Sequence, residues 1–167
     1  MYKSYLWAPG RIKWVTRLTR GRPSRCPFCL IAKGDSRVPS RVLYRDKLVM
    51  VIMNIFPYNP GHLQVVPVRH VVWLEELTPE EYSKFCGMIK KSIVMLKKAI
   101  SPLGFNVGIN LGGEVSGGSI LHLHCQIVPR FKRDLGFMEV TADTKVMPES
   151  LDDTFKKLKK YAHILKE

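Results

Sequence analysis

Residues 78–101 constrain the fold most strongly, because they predict one long amphipathic helix. The segment opens with the letters TPEE: Thr78 can cap the helix, Pro79 suits the first helical position, and Glu81 can complete a capping box. Apolar side chains then recur at helical spacing as far as Ile100, and the letters SPLG end the run. Such a stripe is more often core than interface, so the helix is expected to lie against the rest of the domain.

Short, apolar and β-branched segments predict that the helix packs on a sheet. The predicted strands are residues 42–44 and 48–54 around a turn, then 62–67, 105–111 and 119–129. A second amphipathic helix is predicted over residues 148–166, with Asp152 and Asp153 near its positive end. The sum is an α+β domain: a mainly antiparallel sheet of about five strands, one long central helix and a C-terminal helix.

The length of 167 residues fits one compact domain, which we place at residues 26–167. Residues 1–25 form a basic N-terminal extension, predicted to pack on that domain. The net charge of +13, from 27 Lys and Arg against 14 Asp and Glu, favours anionic partners such as phosphates or nucleic acid. No periodic pattern of aromatic residues accompanies the basic extension, so a solvated segment is favoured over a nucleic-acid-binding arm.

The chain has no apolar run of transmembrane length and no apolar core of a secretory signal. We therefore expect a soluble, cytoplasmic protein without a membrane partner. In that compartment the pair Cys26 and Cys29 is expected to bind metal or to do redox work rather than to form disulfides. Cys86 and Cys125 are interpreted as core residues.

Residues 122–126 read HLHCQ, and side chains alternate between the two faces of a strand. His122, His124 and Gln126 are therefore predicted to share one face, and the apolar neighbours share the other: Leu121, Leu123, Cys125 and Ile127. A glycine-rich loop at residues 112–118 leads towards this strand, and glycine lets backbone amides approach an anion. A phosphate could sit beside His124, although an isolated His-x-His also suits a polar strand face or a metal site.

The letters HLHCQIVPR at residues 122–130 resemble the signature of the histidine-triad superfamily, in which histidines alternate with apolar residues and Pro-Arg usually closes the run. The resemblance covers roughly residues 26 to 131 in order, and such an ordered set is far more specific than any single motif. The further matching segments are CPFC at 26–29 with Gly34, NIFPYNPGH at 54–62, VPVRH at 66–70, and residues 110–119. The resemblance implies the fold of that superfamily.

Gln126 stands where the superfamily signature has its third histidine. This variant resembles the transferase-like branches, namely galactose-1-phosphate uridylyltransferases and dinucleoside-polyphosphate phosphorylases. Uridylyltransferases are considerably longer chains. The letters LWAPGR at residues 6–11, together with residues 54–62, look most like the short diadenosine-tetraphosphate phosphorylases.

The resemblance also implies a structural zinc ion held by Cys26, Cys29, His70 and His122, because zinc-containing members use the equivalent positions. His62 is the alternative to His70 as a zinc ligand. A redox pair and a pair of core thiols remain alternatives for the two cysteines.

By the same resemblance, His124 is the nucleophile that forms a nucleotidyl intermediate; a neutral imidazole can attack phosphorus and later leave. Gln126 has no titratable proton, so it can hold a phosphate oxygen without acting as a general acid. The remaining implied contacts are Asn54 to the ribose, and Asn110, Gly118 and Ser119 to phosphate oxygens.

The predicted function is cleavage of adenine dinucleoside polyphosphates at the α-phosphate, with inorganic phosphate as acceptor. A hydrolase of nucleoside phosphoramidates or other nucleotide adducts is one alternative. A nucleic-acid-binding deadenylase of DNA ends is another, suggested by the basic residues 1–25. Superfamily members that resemble this chain are usually homodimers, so the resemblance also implies a homodimer.

Overall fold

The computed structural model describes residues 26–112, 120–132, 141–142, 144 and 146–167. The predicted basic extension, residues 1–25, lies outside this part of the chain, and so do Gly118 and Ser119. Within the described ranges, none of the helices has both the length and the apolar character needed to cross a bilayer.

Within the described residues the sheet has five antiparallel strands, which confirms the predicted number and type of strands. The structure adds their order, β1-β2-β3-β5-β4. The strands are β1 (Val42–Arg45), β2 (Val49–Met53), β3 (Leu63–Pro67), β4 (Gly104–Ile109) and β5 (Cys125–Arg130). Strand β5 therefore lies between β3 and β4, so that segments distant in sequence meet on its two sides.

The predicted long helix is confirmed as α2, and its start is fixed locally. The helices are α1 (Pro27–Ala32), α2 (Pro79–Ile100) and α3 (Leu151–Lys160), with 3₁₀ turns at Leu74–Glu76 and Ala162–Leu165. The Thr78 hydroxyl accepts a hydrogen bond from the Glu81 backbone N–H at 3.2 Å. The Glu81 carboxylate in turn accepts from the Thr78 N–H at 2.9 Å. This reciprocal capping box satisfies two helix-terminal donors.

Helix α2 covers one face of the sheet, and α1 covers part of the other. The larger core joins α2 to the sheet and the C-terminal segment through side chains that include Phe85, Met95, Val51, Val65, Ile127 and Leu158. A smaller cluster joins α1 to the opposite face through Phe28, Ile31, Met50, Ile52 and Val66. Because β2 is covered on both faces, its sequence is apolar throughout rather than alternating.

Strand β5 begins at Cys125, whereas the sequence predicted a strand from residue 119. Upstream of Cys125 the chain leaves the β3 ladder: the Leu123 N–H donates instead to the Val71 carbonyl at 2.7 Å. His122 and His124 therefore precede the strand, and only Gln126 of the three lies within it.

Three smaller expectations are also corrected. Cys86 is exposed on α2, although Cys125 is buried as expected. Leu121, predicted on the apolar face, is 57% exposed. The C-terminal helix begins at Leu151 rather than at residue 148, because the Ser150 hydroxyl caps it by accepting from the Asp153 N–H at 3.1 Å.

Candidate active site and metal centre

Four side chains from distant parts of the chain converge beside the N-terminus of β5. Cys26, Cys29, His70 and His122 each offer one ligand atom, and these atoms all lie within 4.8 Å of one another. The His122 Nδ1 is 3.3 Å from the Cys26 Sγ and 3.7 Å from the Cys29 Sγ. The His70 Nδ1 is 3.3 Å from the Cys29 Sγ. The cluster could hold a metal ion.

The tautomer of His122 suits metal binding. Its Nε2 is 2.9 Å from the Pro67 carbonyl oxygen, and because a carbonyl can only accept, Nε2 carries the proton. The Nδ1 lone pair is then directed at the two thiols. Burial lowers the pKa of His122 to about 4, which keeps the imidazole neutral. A carbonyl that fixes the tautomer of a ligating histidine is a usual feature of zinc sites.

The four residues fit a tetrahedral zinc ion. Around a tetrahedral zinc ion, two sulfur or nitrogen ligand atoms lie about 3.3 to 3.8 Å from each other. The thiol–imidazole distances in this cluster, 3.3 and 3.7 Å, are in that range. Burial raises the pKa of the Cys26 thiol to about 11, so a metal ion would have to displace its proton. His62, the rival ligand, lies outside the cluster.

Helix α1, which was not predicted from the sequence, connects the cluster to the other candidate site residues. The sequence feature that could have indicated this helix is Pro27 at the first helical position, followed by apolar residues. The Phe28 ring lies edge-on to both triad histidines, with centroids 5.6 Å from His122 and 5.2 Å from His124. The helix therefore places Cys29 in the Cys/His cluster while Phe28 packs on His124.

His124 is a neutral imidazole with one nitrogen left for chemistry. Its Nδ1 donates to the His122 carbonyl oxygen at 2.8 Å, so Nε2 carries the lone pair. The residue is 4% exposed, and burial lowers its pKa below the ordinary value. A buried imidazole with a fixed tautomer is suited to nucleophilic attack through Nε2.

Gln126 is held by Asn110, a residue predicted to bind phosphate. Strand register pairs Gln126 with Gly108 across β4, which makes Asn110, just beyond that strand, its diagonal neighbour. The Gln126 amide nitrogen donates to the Asn110 Oδ1 at 2.7 Å. The two predicted site residues therefore form one polar unit beside His124.

A cleft brings Asn54 together with His124 and Gln126. The Asn54 Oδ1 accepts from the Phe56 N–H at 2.9 Å, which anchors the loop after β2. The remaining wall is largely apolar and includes Phe28, Ile31, Val38, Ile55, Phe56 and Tyr58. A cleft with an apolar wall and a few convergent polar groups is the usual form of a small-molecule site. Gly118 and Ser119 lie outside the described residues, so their predicted contacts stay predictions.

His62 makes the stability of the protein depend on pH. Burial lowers its pKa from 6.5 to about 4, so the folded chain binds this proton less readily than the unfolded chain. We expect the free energy of unfolding to fall as the pH drops from 6.5 towards 4. Urea titrations at pH 7 and pH 5 measure the free energy of unfolding of the wild type and of a His62→Gln variant. Between pH 7 and pH 5 the variant should lose less of this free energy than the wild type. Equal losses would contradict this prediction.

The fold and site define a class: an α+β protein with a buried, neutral histidine beside a largely apolar cleft. Residues 35–133 match the family model described as HIT domain, and the chain belongs to this family. The chain is 44% identical over 155 residues to a Mycobacterium tuberculosis protein named AP-4-A phosphorylase, covering 89% of this chain and 79% of the relative.

A further relative and a solved structure agree with this membership. An asymmetrical bis(5'-nucleosyl)-tetraphosphatase of Schizosaccharomyces pombe is 37% identical over 97 residues, covering 58% of this chain and 53% of the relative. The crystal structure of a zinc-bound histidine triad family protein from Mycobacterium smegmatis superposes with a TM-score of 0.68 at 26% identity. That match covers 84% of this chain and 95% of the neighbour.

Proposed function

We propose that the protein is a HIT-family enzyme that cleaves dinucleoside polyphosphates at the α-phosphate and transfers the nucleotidyl group to inorganic phosphate. The observation that carries this proposal is the neutral His124, whose tautomer leaves Nε2 as nucleophile, beside a glutamine rather than a third histidine. The relatives named as a phosphorylase and a tetraphosphatase support the substrate class.

The first step uses the lone pair of His124 Nε2. An Nε2–P bond forms at the α-phosphate, the bridging bond from that phosphorus to the next phosphate oxygen breaks, and a nucleoside polyphosphate leaves. Nδ1 keeps its proton, so the adduct is an imidazolium whose charge is stabilised by the His122 carbonyl. An imidazolium is a good leaving group, which suits a second transfer.

In the second step an oxygen of inorganic phosphate attacks the same phosphorus and the Nε2–P bond breaks, giving a nucleoside diphosphate. Gln126 has no titratable proton with which to assist a water molecule. Phosphate is already an anion at neutral pH and is attracted by the net charge of +13. The acceptor is therefore phosphate in preference to water.

In this proposal the site residues have the roles that the family resemblance implies. Asn54 binds the ribose hydroxyls, and the apolar wall that includes Phe56 and Tyr58 holds the base. Asn110, Gly118 and Ser119 bind phosphate oxygens. Asn54 and Gln126 line one cleft with His124, which supports a single nucleotide subsite.

A structural zinc ion is held by Cys26, Cys29, His70 and His122. Four protein ligands leave no open position, so the ion supplies rigidity rather than Lewis-acid chemistry. The convergence of four ligand atoms and the zinc-bound family neighbour support the assignment. We place the enzyme in the cytoplasm, where a reducing environment keeps the two thiols available.

The enzyme is proposed to act as a homodimer. Strand β4 is at the edge of the sheet and carries exposed apolar side chains, with Leu103 beside it 77% exposed and Val107 45% exposed. An edge strand of this kind suits pairing with a second copy. Sedimentation velocity should give the mass of a dimer, and a monomer at micromolar concentration would contradict it.

Product analysis tests the proposed function. Pure protein is incubated with diadenosine tetraphosphate, with and without inorganic phosphate. We expect ADP and ATP with phosphate, and much slower turnover without it. Equal rates with and without phosphate, giving AMP and ATP, would make the protein a hydrolase. Preferred cleavage of adenosine phosphoramidate, or salt-sensitive binding and deadenylation of DNA ends, would favour the alternatives.

A further inference from the structure

His62 is a fully buried histidine that the proposed reaction does not use. It immediately precedes β3, and its side chain is 0% exposed. The Tyr58 ring stacks on it with centroids 5.1 Å apart. Among the described residues, no group meets hydrogen-bond geometry with its Nε2. A buried polar atom of this kind calls for a partner, because leaving it unpaired is costly.

The opposite ring nitrogen fixes the tautomer. The Tyr58 backbone N–H donates to His62 Nδ1 at 3.3 Å. A backbone N–H can only donate, so Nδ1 is unprotonated and the neutral ring carries its proton on Nε2. The Asn54 amide nitrogen, 3.4 Å from the same Nδ1, is consistent with this assignment. The unpaired atom is therefore a donor that needs an acceptor.

The neighbour within reach is Gln126. Gln64 of β3 pairs with Gln126 of β5, and His62 is two residues before Gln64 on the same face, so His62 and Gln126 are diagonal neighbours. The Gln126 side chain lies near enough to raise the pKa of His62 against the effect of burial, although it does not reach hydrogen-bond geometry with the Nε2 of the ring. His124 is the other titratable group acting on His62, and its effect lowers the pKa.

We propose that His62 is a positioning residue that fixes the orientation of the Gln126 amide, so that Gln126 acts only as a hydrogen-bond donor towards the substrate. The Nε2–H of His62 holds the Gln126 Oε1. The Gln126 Nε2 then points away from His62, with one hydrogen on the Asn110 Oδ1 at 2.7 Å. The second hydrogen is left to donate to a non-bridging oxygen of the α-phosphate.

This inference rests on the proposed function for its ligand, but the proton arrangement can be tested without turnover. A glutamine free to rotate presents either a carbonyl or an amide group, and only the amide attracts a phosphate oxygen. With His62 as donor, the attractive orientation is fixed before the substrate arrives. Such preorganisation removes a reorganisation cost at the reaction step.

Imidazole ¹⁵N chemical shifts of the zinc-loaded wild type test the tautomer. We expect His62 to carry its proton on Nε2 at pH 7. In a Gln126→Glu variant the carboxylate accepts the same proton, so the His62 pKa should rise measurably. A proton on Nδ1, or a pKa unmoved by Gln126→Glu, would overturn the proposal whether or not the protein cleaves dinucleoside polyphosphates.

A double-mutant cycle tests the functional consequence. His62→Phe fills the volume of the ring but removes the donor, and we expect kcat to fall about tenfold with a much smaller change in KM. The His62→Phe/Gln126→Ala double variant should be no slower than Gln126→Ala alone. His163→Gln, at an exposed histidine of the C-terminal segment, is the matched control and should keep wild-type kcat. If the kcat losses of the two single variants multiply in the double variant, the proposal is wrong. If His62→Phe does not fold, the ¹⁵N measurement decides.

Discussion

Replacing His124 with asparagine is expected to lower turnover of diadenosine tetraphosphate by at least about a thousandfold, because it removes the only nucleophile of the proposed reaction. Asparagine is the informative substitution. Its amide can still donate to the His122 carbonyl, the acceptor that His124 Nδ1 contacts at 2.8 Å, but it has no equivalent of Nε2. The fold should therefore survive while the chemistry stops.

The measurement is steady-state product formation in saturating phosphate, with the thermal midpoint recorded for each variant. His163→Gln serves as the control for a histidine remote from the cleft and should turn over at the wild-type rate. A His124→Asn variant that is folded and retains activity within about tenfold, roughly 1.4 kcal/mol of barrier, would remove His124 from the role of nucleophile.

If the proposed zinc ion is bound, replacing Cys26 with serine is expected to release it and to lower the thermal midpoint by roughly 10 °C or more. Serine removes one of the two thiol ligands, and the Cys26 Sγ lies 3.3 Å from the His122 Nδ1. Loss of the ion also frees helix α1, whose Phe28 packs on His124. Activity should fall together with metal content.

Cys86→Ser is the matched control, because Cys86 is an exposed free cysteine on α2. That variant should retain one zinc per chain and the wild-type midpoint. Elemental analysis of protein purified without chelator, together with differential scanning calorimetry, measures both quantities. A wild type without zinc, or a Cys26→Ser variant as stable as the Cys86→Ser variant, would contradict the metal assignment.

The long helix could be predicted because its determinants are local. Thr78 and Glu81 form the capping box three residues apart, and the apolar stripe of α2 is contained in its own sequence. Strands β1 to β4 were predicted to within two residues for the same reason. The five-stranded antiparallel sheet then follows from short segments joined by turns and one helix.

The start of β5 could not be predicted, because it is set by a partner distant in sequence. Leu123 has the alternation of a strand residue, yet its N–H donates to Val71 rather than to the ladder. Helix α1 was missed because its six residues are too few to show a helical period. Its position depends on the cluster that Phe28 forms with Met50 and Val66.

Which of His62 and His70 lies in the cluster with Cys26, Cys29 and His122 could not be predicted from the sequence. His62 precedes β3 and His70 follows it. The five residues of that strand span roughly 16 Å, so the two histidines lie beyond opposite ends of the strand. One histidine alone can therefore reach Cys29, and the strand register decides which. The role inferred for His62 was equally hidden, because it depends on the pairing of Gln64 with Gln126.

Direct observation of the nucleotidyl-enzyme tests the central claim. Wild-type protein is mixed with diadenosine tetraphosphate in phosphate-free buffer, quenched within seconds, and analysed by peptide mass spectrometry at neutral to alkaline pH. We predict an adenylyl group on His124 that disappears, with formation of ADP, when inorganic phosphate is added. Turnover without any adduct, or an adenylyl group on a residue other than His124, would contradict the account.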